Sequence, residues 1–193
     1  MMSLLGRTTG NTSMRTPIRG ERLVFRKLRE KDSAIIFPEI DEELTRYWIG
    51  WEPAADTDAL KLSIKETLGK IAKDKNLAEF VAFTKDNEFI GCCGIEMTPE
   101  KDYEINVWVK KSMQGKGYGL EIACAMVEHA KEKGLKQIIY SITEGNAASY
   151  GLLSKLEKIF SIRKLRVCMM EKRGQQKEVT DYLIDLGEER KPL

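Results

Sequence analysis

The sequence predicts an α+β fold in three layers (α/β/α), with a mixed, mostly antiparallel central sheet and helices on both of its faces. Strand-like and helix-like segments follow one another in the order β, helices, β-β-β, α, β, α, β-β. Short polar turns join consecutive strands as in antiparallel hairpins, whereas two later helices lie between strands as crossovers. The chain has 193 residues, of which 42% are hydrophobic and 32% charged, and this suits one globular domain.

The first part of the chain predicts one strand, short helices and one long helix. Residues 21–28 form the predicted strand. Asp32 is expected to cap a short helix that Pro38 interrupts, and a second short helix is expected over Asp41–Tyr47. The long helix spans residues 57–73. Its apolar residues recur on one helical face, at Leu60, Ile64, Leu68 and Ile71.

The middle of the chain predicts three strands in succession. Residues 80–84 and 89–97 flank the four-residue turn 85–88, a short hairpin connection. In residues 103–110 apolar and polar side chains alternate, which is typical of a strand with two different faces. These three strands are therefore expected to lie side by side in the sheet.

The last part predicts two crossovers and a final hairpin. A helix that follows a glycine-rich turn is expected to end at Gly134, where glycine allows a left-handed stop. After a strand over residues 136–143, Asn146 is expected to begin the next helix, which continues to Leu156. Two strands over about 159–170 and 178–186 then flank a polar turn of six residues.

Charge and composition exclude several classes of protein. The net charge of +2 gives no electrostatic case for binding nucleic acid or a membrane surface. The single histidine, His129, excludes a histidine-rich metal site, and no metal is predicted. The four cysteines have no CxxC spacing, and they are expected to be buried thiols in a reducing compartment. No apolar stretch approaches the roughly 20 residues that span a bilayer.

The termini lead to an expected domain organisation. Residues 1–20 carry three arginines and no acid, and they lack the apolar core of a signal peptide. We expect a flexible tail over 1–20, one domain over 21–187, a short tail over 188–193 and a cytoplasmic location. An arginine-rich start without acids is also a weak feature of organelle targeting.

The segment QGKGYG lies between a predicted strand and a predicted helix. Its three alternating glycines allow backbone N–H groups to turn toward one point without a Cβ in the way. The helix behind adds the partial positive charge of its N-terminus. Together they predict a pyrophosphate cradle that needs neither a metal nor a side-chain cation. The candidate residues are Gln114, Gly115, Lys116, Gly117, Tyr118 and Gly119.

Spacing excludes two other phosphate loops. A Walker A loop needs GxxxxGK[ST], but Lys116 is followed by Gly117. A Rossmann fingerprint needs GxGxxG, but the third alternate glycine is followed by Leu120. The alternative that remains is a plain glycine-rich turn in front of a helix.

This segment resembles the signature of the GNAT superfamily of acyl-CoA-dependent N-acyltransferases, Q/R-x-x-G-x-G/A, which Gln114, Gly117 and Gly119 match. The resemblance extends over about residues 21–186 in the order of elements. It is nearest to the RimJ/RimL-like branch, which acetylates protein N-termini, amino sugars, polyamines and other small amines. The features that point to this branch are ERL at 21–23, YEINV at 103–107 and NAAS at 146–149.

The resemblance implies where acetyl-CoA, the co-substrate, would bind. Its pyrophosphate would lie on the glycine loop. The backbone of the fourth strand would bind the thioester carbonyl if that strand separates from the strand over 136–143. The residues concerned are Val107, Trp108 and Val109. Asn146 would cap its helix, contact the pantetheine arm, or do both.

The resemblance also implies three candidate catalytic residues. The acceptor amine must lose a proton, and Glu96 or Glu104 is placed to take it directly or through a water, unless both simply face solvent. The family's usual tyrosine, which protonates the departing thiolate, falls on Leu153 in the register that Asn146 sets. Ser149 is the candidate that remains for this role, although serine is also ordinary in a first helical turn.

The function expected from the resemblance is transfer of an acetyl group from acetyl-CoA to a primary amine by direct attack in a ternary complex. The acceptor would be a protein N-terminus, an amino acid, a polyamine or another small amine. The protein would be a monomer or homodimer, without nucleic-acid or membrane partners. Two alternatives are a non-catalytic acyl-CoA-binding sensor of the same fold and a structural protein whose glycine loop binds nothing.

Overall fold

The computed structural model describes residues 22–49 and 52–189. The strands are β1 (Leu23–Lys27), β2 (Ala78–Thr84), β3 (Phe89–Met97), β4 (Tyr103–Val109), β5 (Gln137–Thr143), β6 (Phe160–Lys172) and β7 (Gln175–Glu189). The α-helices are α1 (Ser33–Ile36), α2 (Glu42–Thr45), α3 (Thr57–Ile71), α4 (Tyr118–Glu132) and α5 (Ala147–Leu156). Short 3-10 turns lie at Glu30–Asp32, Phe37–Glu39 and Lys111–Met113.

The seven strands form one sheet in the order β1-β2-β3-β4-β5-β7-β6. Every neighbouring pair is antiparallel except β4 and β5, which are parallel because α4 carries the chain back across the sheet between them. The predicted fold class, a mixed and mostly antiparallel sheet with helices on both faces, is confirmed.

Two hydrophobic cores lie on opposite faces of the sheet. On one face α4 and α5 pack against the strands, with Ile122, Met126 and Leu156 fully buried. On the other face α3 packs through Leu60 and Ile64. Adjacent Cys92 and Cys93 belong to different cores, since successive residues of a strand point to opposite faces. All four cysteines are free thiols.

Several predicted helix boundaries are confirmed by their caps. The carboxylate of Asp56 accepts the N–H of Ala59 at 2.8 Å and begins α3. The side-chain oxygen of Asn146 accepts the N–H of Ser149 at 3.2 Å and begins α5. Gly134 has φ = +82° and ends α4, as predicted.

Two local predictions are wrong. Asp32 does not cap the helix that follows it: its carboxylate accepts the N–H of Arg29 at 2.8 Å and pairs with the guanidinium of Arg26. The six-residue turn before the last strand is a two-residue turn. Arg173 and Gly174 have φ = +50° and +74°, which is typical of a type I′ hairpin, so the polar residues around them continue the strands.

Residues 1–21, 50–51 and 190–193 lie outside the described part of the chain, and so do the predicted N-terminal tail, Glu21 and most of the predicted C-terminal tail. Strand β7 reaches Glu189. No helix within the two described ranges is long and apolar enough to cross a membrane.

Candidate active site

A cleft opens in the sheet between β4 and β5. Their ladder contains one residue pair, Glu104 with Ile139. Over residues 106–109, β4 pairs with β3 alone. The separation that was expected beside Val107, Trp108 and Val109 is therefore present, and over these residues β4 has no ladder with β5, although the Val109 carbonyl accepts a hydrogen bond from Gln114.

The glycine loop lies at the end of β4, next to this cleft. Gly115 and Gly117 have φ = +74° and +86°, a left-handed conformation that strongly favours glycine. In the described structure the backbone N–H groups of residues 115–119 have no protein acceptor, whereas those of Leu120 and Glu121 bond the carbonyl of Gly117. Five N–H groups and the N-terminus of α4 are thus available to one anion.

Gln114 holds the loop in place and does not extend the cradle. Its side-chain nitrogen donates to the carbonyl of Val109 at 3.0 Å, and its backbone N–H donates to Lys111 at 3.3 Å. The predicted cradle of Gln114–Gly119 is therefore shorter by one residue, because the first N–H group is already used within the chain.

Arg22 supports the loop from the other side. Its guanidinium donates to Glu121 at 2.6 Å and to the carbonyl of Lys116 at 3.2 Å, and it lies 4.5 Å from the ring centre of Tyr118. A Cβ added at Gly117 would stand 3.4 Å from this guanidinium. Arg22 was singled out only as part of the ERL motif at 21–23, because its contact with the loop depends on the sheet, which brings β1 beside α4.

Three carboxylates gather on the α3 face of the sheet. Glu96 on β3 lies directly opposite Glu104 on β4, as their predicted placement in neighbouring strands required. Glu79 on β2 joins them by reaching across β3, where the side chain of Asn106 donates to it at 2.7 Å. The glycine at position 94 makes this possible, since a Cβ there would lie 2.4 Å from the Glu79 carboxyl carbon.

The environment raises the pKa of all three carboxyl groups. Burial raises the pKa of Glu104 to about 7, the negative charge of Glu96 raises it further, and the nearby polar groups of Ser141 oppose the shift. Burial raises the pKa of Glu79 to about 8, against its hydrogen bond with Asn106. The side chain of Glu96 is partly in contact with solvent. Desolvation by the surrounding protein nevertheless raises its pKa, and the positive charge of Lys70 opposes this shift. A group such as Glu104 can therefore exchange a proton near neutral pH.

A row of polar side chains connects Glu104 to the far edge of the sheet. The hydroxyl of Ser141 on β5 donates to Asp181 on β7 at 2.8 Å. Arg166 on β6 donates to the other oxygen of Asp181 at 2.7 Å and to Asp102 at 3.0 Å. No sequence motif singles out these residues. Their only signal is that Ser141 and Asp181 interrupt otherwise apolar strands.

Ser149 lies on the opposite side of the cleft, in the first turn of α5. Burial raises the pKa of the Tyr140 phenol, and a hydrogen bond with Ser149 opposes that shift. The charge of Glu104 adds a smaller contribution to the raised pKa of Tyr140. Leu153 is 5% exposed and packs in the core, so it offers no polar group.

The segment that follows α2 closes one end of the cleft. The indoles of Trp48 and Trp108 have ring centres 6.0 Å apart, which joins this segment to β4. The carbonyl of Tyr47 accepts the hydroxyl of Thr143 at 2.8 Å, which joins it to β5. Two ordered contacts therefore bridge the separated strands.

His129 on α4 takes no part in this site. Its ring meets that of Phe80 edge-on at 5.2 Å, and burial lowers its pKa. In the described ranges no three His, Cys, Asp or Glu side chains are arranged to hold a metal ion.

Residues 22–157 match the family model of the acetyltransferase (GNAT) domain. The chain belongs to the GNAT acetyltransferase family. The superfamily resemblance that the glycine loop indicated is confirmed. The matched residues include the cleft, the loop and the three carboxylates. The RimJ/RimL-like branch remains a prediction.

Known proteins resemble this GNAT chain over part of its sequence or over its fold. A stretch of 53 residues is 40% identical to the L-methionine sulfoximine/L-methionine sulfone acetyltransferase of Pseudomonas paraeruginosa, and it covers 28% of this chain and 31% of that protein. The chain thus matches less than a third of the length of that relative.

Two solved structures share the fold. The spermidine N-acetyltransferase from Vibrio cholerae, in complex with CoA and spermine, has a TM-score of 0.71 at 18% identity, covering 87% of this chain and 98% of that one. A Salmonella typhimurium acetyltransferase that modifies the N-terminal serine of a 50S ribosomal subunit protein has a TM-score of 0.71 at 14% identity, covering 85% and 95%. At these identities the likeness shows the fold.

Proposed function

We propose that this GNAT protein transfers the acetyl group of acetyl-CoA to a primary amine, which attacks directly while both substrates are bound. The observation that carries the proposal is the cleft itself. It joins an anion cradle at the end of β4 to proton-accepting carboxylates on one face of the sheet and to a hydroxyl on α5 at the other. Such a cleft can hold a thioester between an amine and a proton donor.

Acetyl-CoA fits the groups that the chain leaves open. Its pyrophosphate would accept hydrogen bonds from the N–H groups of residues 115–119, where no Cβ stands in the way at Gly115. The unpaired edge of β4, from Val107 to Val109, would bind the thioester carbonyl as negative charge develops on its oxygen. Asn146 uses its side-chain oxygen to cap α5, so a contact with the pantetheine arm would come from its amide nitrogen.

Glu104 is the proposed general base. An amine is protonated at neutral pH and must give up a proton as its nitrogen forms the new bond to the acetyl carbon. Glu104 lies where β4 and β5 begin to separate, and its pKa of about 7 allows it to accept that proton. Glu96 lies opposite, and its charge favours the protonated form of Glu104 once the proton has arrived.

Ser149 is the proposed donor to the departing sulfur. When the carbon–sulfur bond breaks, the thiolate needs a hydrogen bond and finally a proton. The Ser149 hydroxyl lies on the α5 side of the cleft beside Tyr140, and the usual tyrosine position holds the buried Leu153. We therefore assign the role of thiolate donor to Ser149 on α5.

The acceptor class and setting are also proposals. The RimJ/RimL-like resemblance and the two relatives that act on spermidine and on a protein N-terminus support an amine of a small molecule or peptide. We place the reaction in the cytoplasm, where four free cysteines stay reduced, and expect a monomer or homodimer.

A two-step experiment tests the proposal. Thermal unfolding is measured with and without excess acetyl-CoA, and release of free CoA thiol is then followed over a panel of amines and N-terminal peptides. Stabilisation together with thiol release that depends on an amine is the expected result. Stabilisation without transfer to any amine would identify a sensor, and no stabilisation would mean that the glycine loop binds no CoA.

A further inference from the structure

A second cavity lies beside the cleft and has no role in the mechanism above. Its volume is about 450 Å³, and it is open to solvent. It is enclosed by the segment after α2, the end of β5 and the β6–β7 hairpin. We call it the basic pocket, and its lining residues are Arg46, Tyr47, Thr143, Glu144, Gly145, Lys172, Arg173, Gln175 and Lys177.

The lining of the basic pocket is predominantly cationic, with four basic residues and one acid. Two carboxylates outside the lining offset part of that charge: Glu52 approaches Arg173 at 3.2 Å and Lys172 at 3.9 Å, and Glu42 approaches Arg173 at 3.6 Å. Within the described residues no carboxylate lies within 4.0 Å of the charged groups of Arg46 or Lys177. At least two positive charges therefore face the pocket without a salt-bridge partner, although the whole chain carries only +2.

The basic pocket adjoins the cleft at the end of β5. Thr143 lines the pocket and ends β5, four residues beyond Ile139, the partner of Glu104. Four residues of strand extend about 13 Å. The Tyr47 carbonyl that accepts the Thr143 hydroxyl forms the wall between pocket and cleft. A group bound in the pocket beside Thr143 would thus lie about 13 Å from Glu104.

The two ends of this path have opposite charge. The carboxylates of Glu96 and of deprotonated Glu104 attract an ammonium group, and the basic pocket attracts an anion. We infer that the acceptor is a primary amine that also carries a carboxylate or phosphate about 10 Å from its nitrogen, and that the basic pocket binds this anion. The inference rests on the proposed transferase function and deepens it, since it selects dipolar amines over polycations such as polyamines.

Matched peptides test the inference in the transfer reaction. The amidated tetrapeptides Ala-Ala-Glu-Ala, Ala-Ala-Gln-Ala and Ala-Ala-Lys-Ala differ in one side chain, and a phosphoserine version distinguishes phosphate from carboxylate. We expect kcat/KM to be about tenfold higher for the glutamate peptide than for the glutamine peptide, and lowest for the lysine peptide, as one or two pairs between charges at moderate exposure would give. Spermidine should be a poor acceptor.

The double variant Arg46→Gln, Lys177→Gln should bring the glutamate-to-glutamine ratio close to one. The control Lys65→Gln removes a positive charge from the exposed face of α3 and should leave the ratio as it is. Equal kcat/KM for the three peptides, or a ratio that the double variant leaves unchanged, would overturn the inference while the transferase function stands.

A binding experiment keeps the inference testable if no peptide is acetylated. The N-acetylated glutamate peptide has no amine, so it reports on the pocket alone. Isothermal titration with CoA present should detect its binding, about tenfold weaker in the double variant and absent for the N-acetylated lysine peptide. No binding to the wild-type protein, or the same affinity in both proteins, would reject the basic pocket as an anion site.

Discussion

Replacing Glu79 with glutamine should stabilise the protein at alkaline pH and change it little at pH 5. Glu79 is held among protein atoms between β2 and β4, and its carboxyl accepts a hydrogen bond from Asn106 at 2.7 Å. Glutamine has the same shape and keeps an oxygen for that bond. The substitution therefore removes the ability to ionise and leaves the packing, so it isolates the cost of the buried charge.

The size of the effect follows from the pKa of about 8, against 4.5 for an ordinary glutamate. Between these values the folded protein binds a proton that the unfolded chain has already lost, so the free energy of unfolding falls as the pH rises. Each pKa unit corresponds to about 1.4 kcal/mol, which gives a loss approaching 5 kcal/mol above pH 8. Coupling to Glu96 and relaxation of the site reduce this loss of unfolding free energy. We therefore expect the loss to be about 2–4 kcal/mol.

Urea unfolding at pH 5 and at pH 9 measures the effect. The difference in unfolding free energy between the two pH values should be about 2–4 kcal/mol smaller for Glu79→Gln than for the wild-type protein. Glu66→Gln, on the exposed face of α3, is the matched control and should follow the wild type. If Glu79→Gln and the wild type lose the same stability between pH 5 and 9, Glu79 is solvated in the folded protein and the reasoning is wrong.

Three further predictions concern the reaction. Gly117→Val should weaken CoA binding at least tenfold in a titration, because a branched side chain strains the loop at φ = +86° and its Cβ lies 3.4 Å from the Arg22 guanidinium that supports it, whereas Gly134→Val carries similar backbone strain at the far end of α4 and should leave CoA affinity unchanged. Glu104→Gln should lower kcat/KM about tenfold or more and remove the rise with pH near 7 that the deprotonated base produces; an unaltered pH profile would assign the base elsewhere. Ser149→Ala should lower kcat several-fold with little change in KM for acetyl-CoA, and Tyr150→Phe should do less; the opposite ranking would mean that the register of α5 was misassigned.

The parts of the fold that local sequence determines were predictable. The period of α3, the alternation along β4 and the glycine that ends α4 each depend on a few adjacent residues, and each lies where the sequence indicated. The glycine loop was found for the same reason, since its conformational demand is visible in six consecutive residues. Asn146 was likewise assigned from its position before a helix, and its cap is present.

The parts of the site that depend on strand register were not predictable. Glu79 is seventeen residues from Glu96 and meets Asn106 only because position 94 has no side chain. Asp181 reaches Ser141 through a pairing between β5 and β7 that the chain completes forty residues later. A single sequence does not specify which residues lie opposite each other across strands so far apart, and a shift of one residue would send each side chain to the other face.

The short ladder between β4 and β5 determines how the two faces of the candidate site are related. In a continuous sheet Glu104 and Ser149 would be separated by hydrogen-bonded backbone, the carboxylate on the α3 face and the hydroxyl with α5 on the other. One pair alone joins the two strands, so the cleft lies between the two faces. In the proposed reaction Glu104 would take a proton from the amine on one side of the sheet while Ser149 stabilises the thiolate on the other, and neither group would need to move across a layer of the fold.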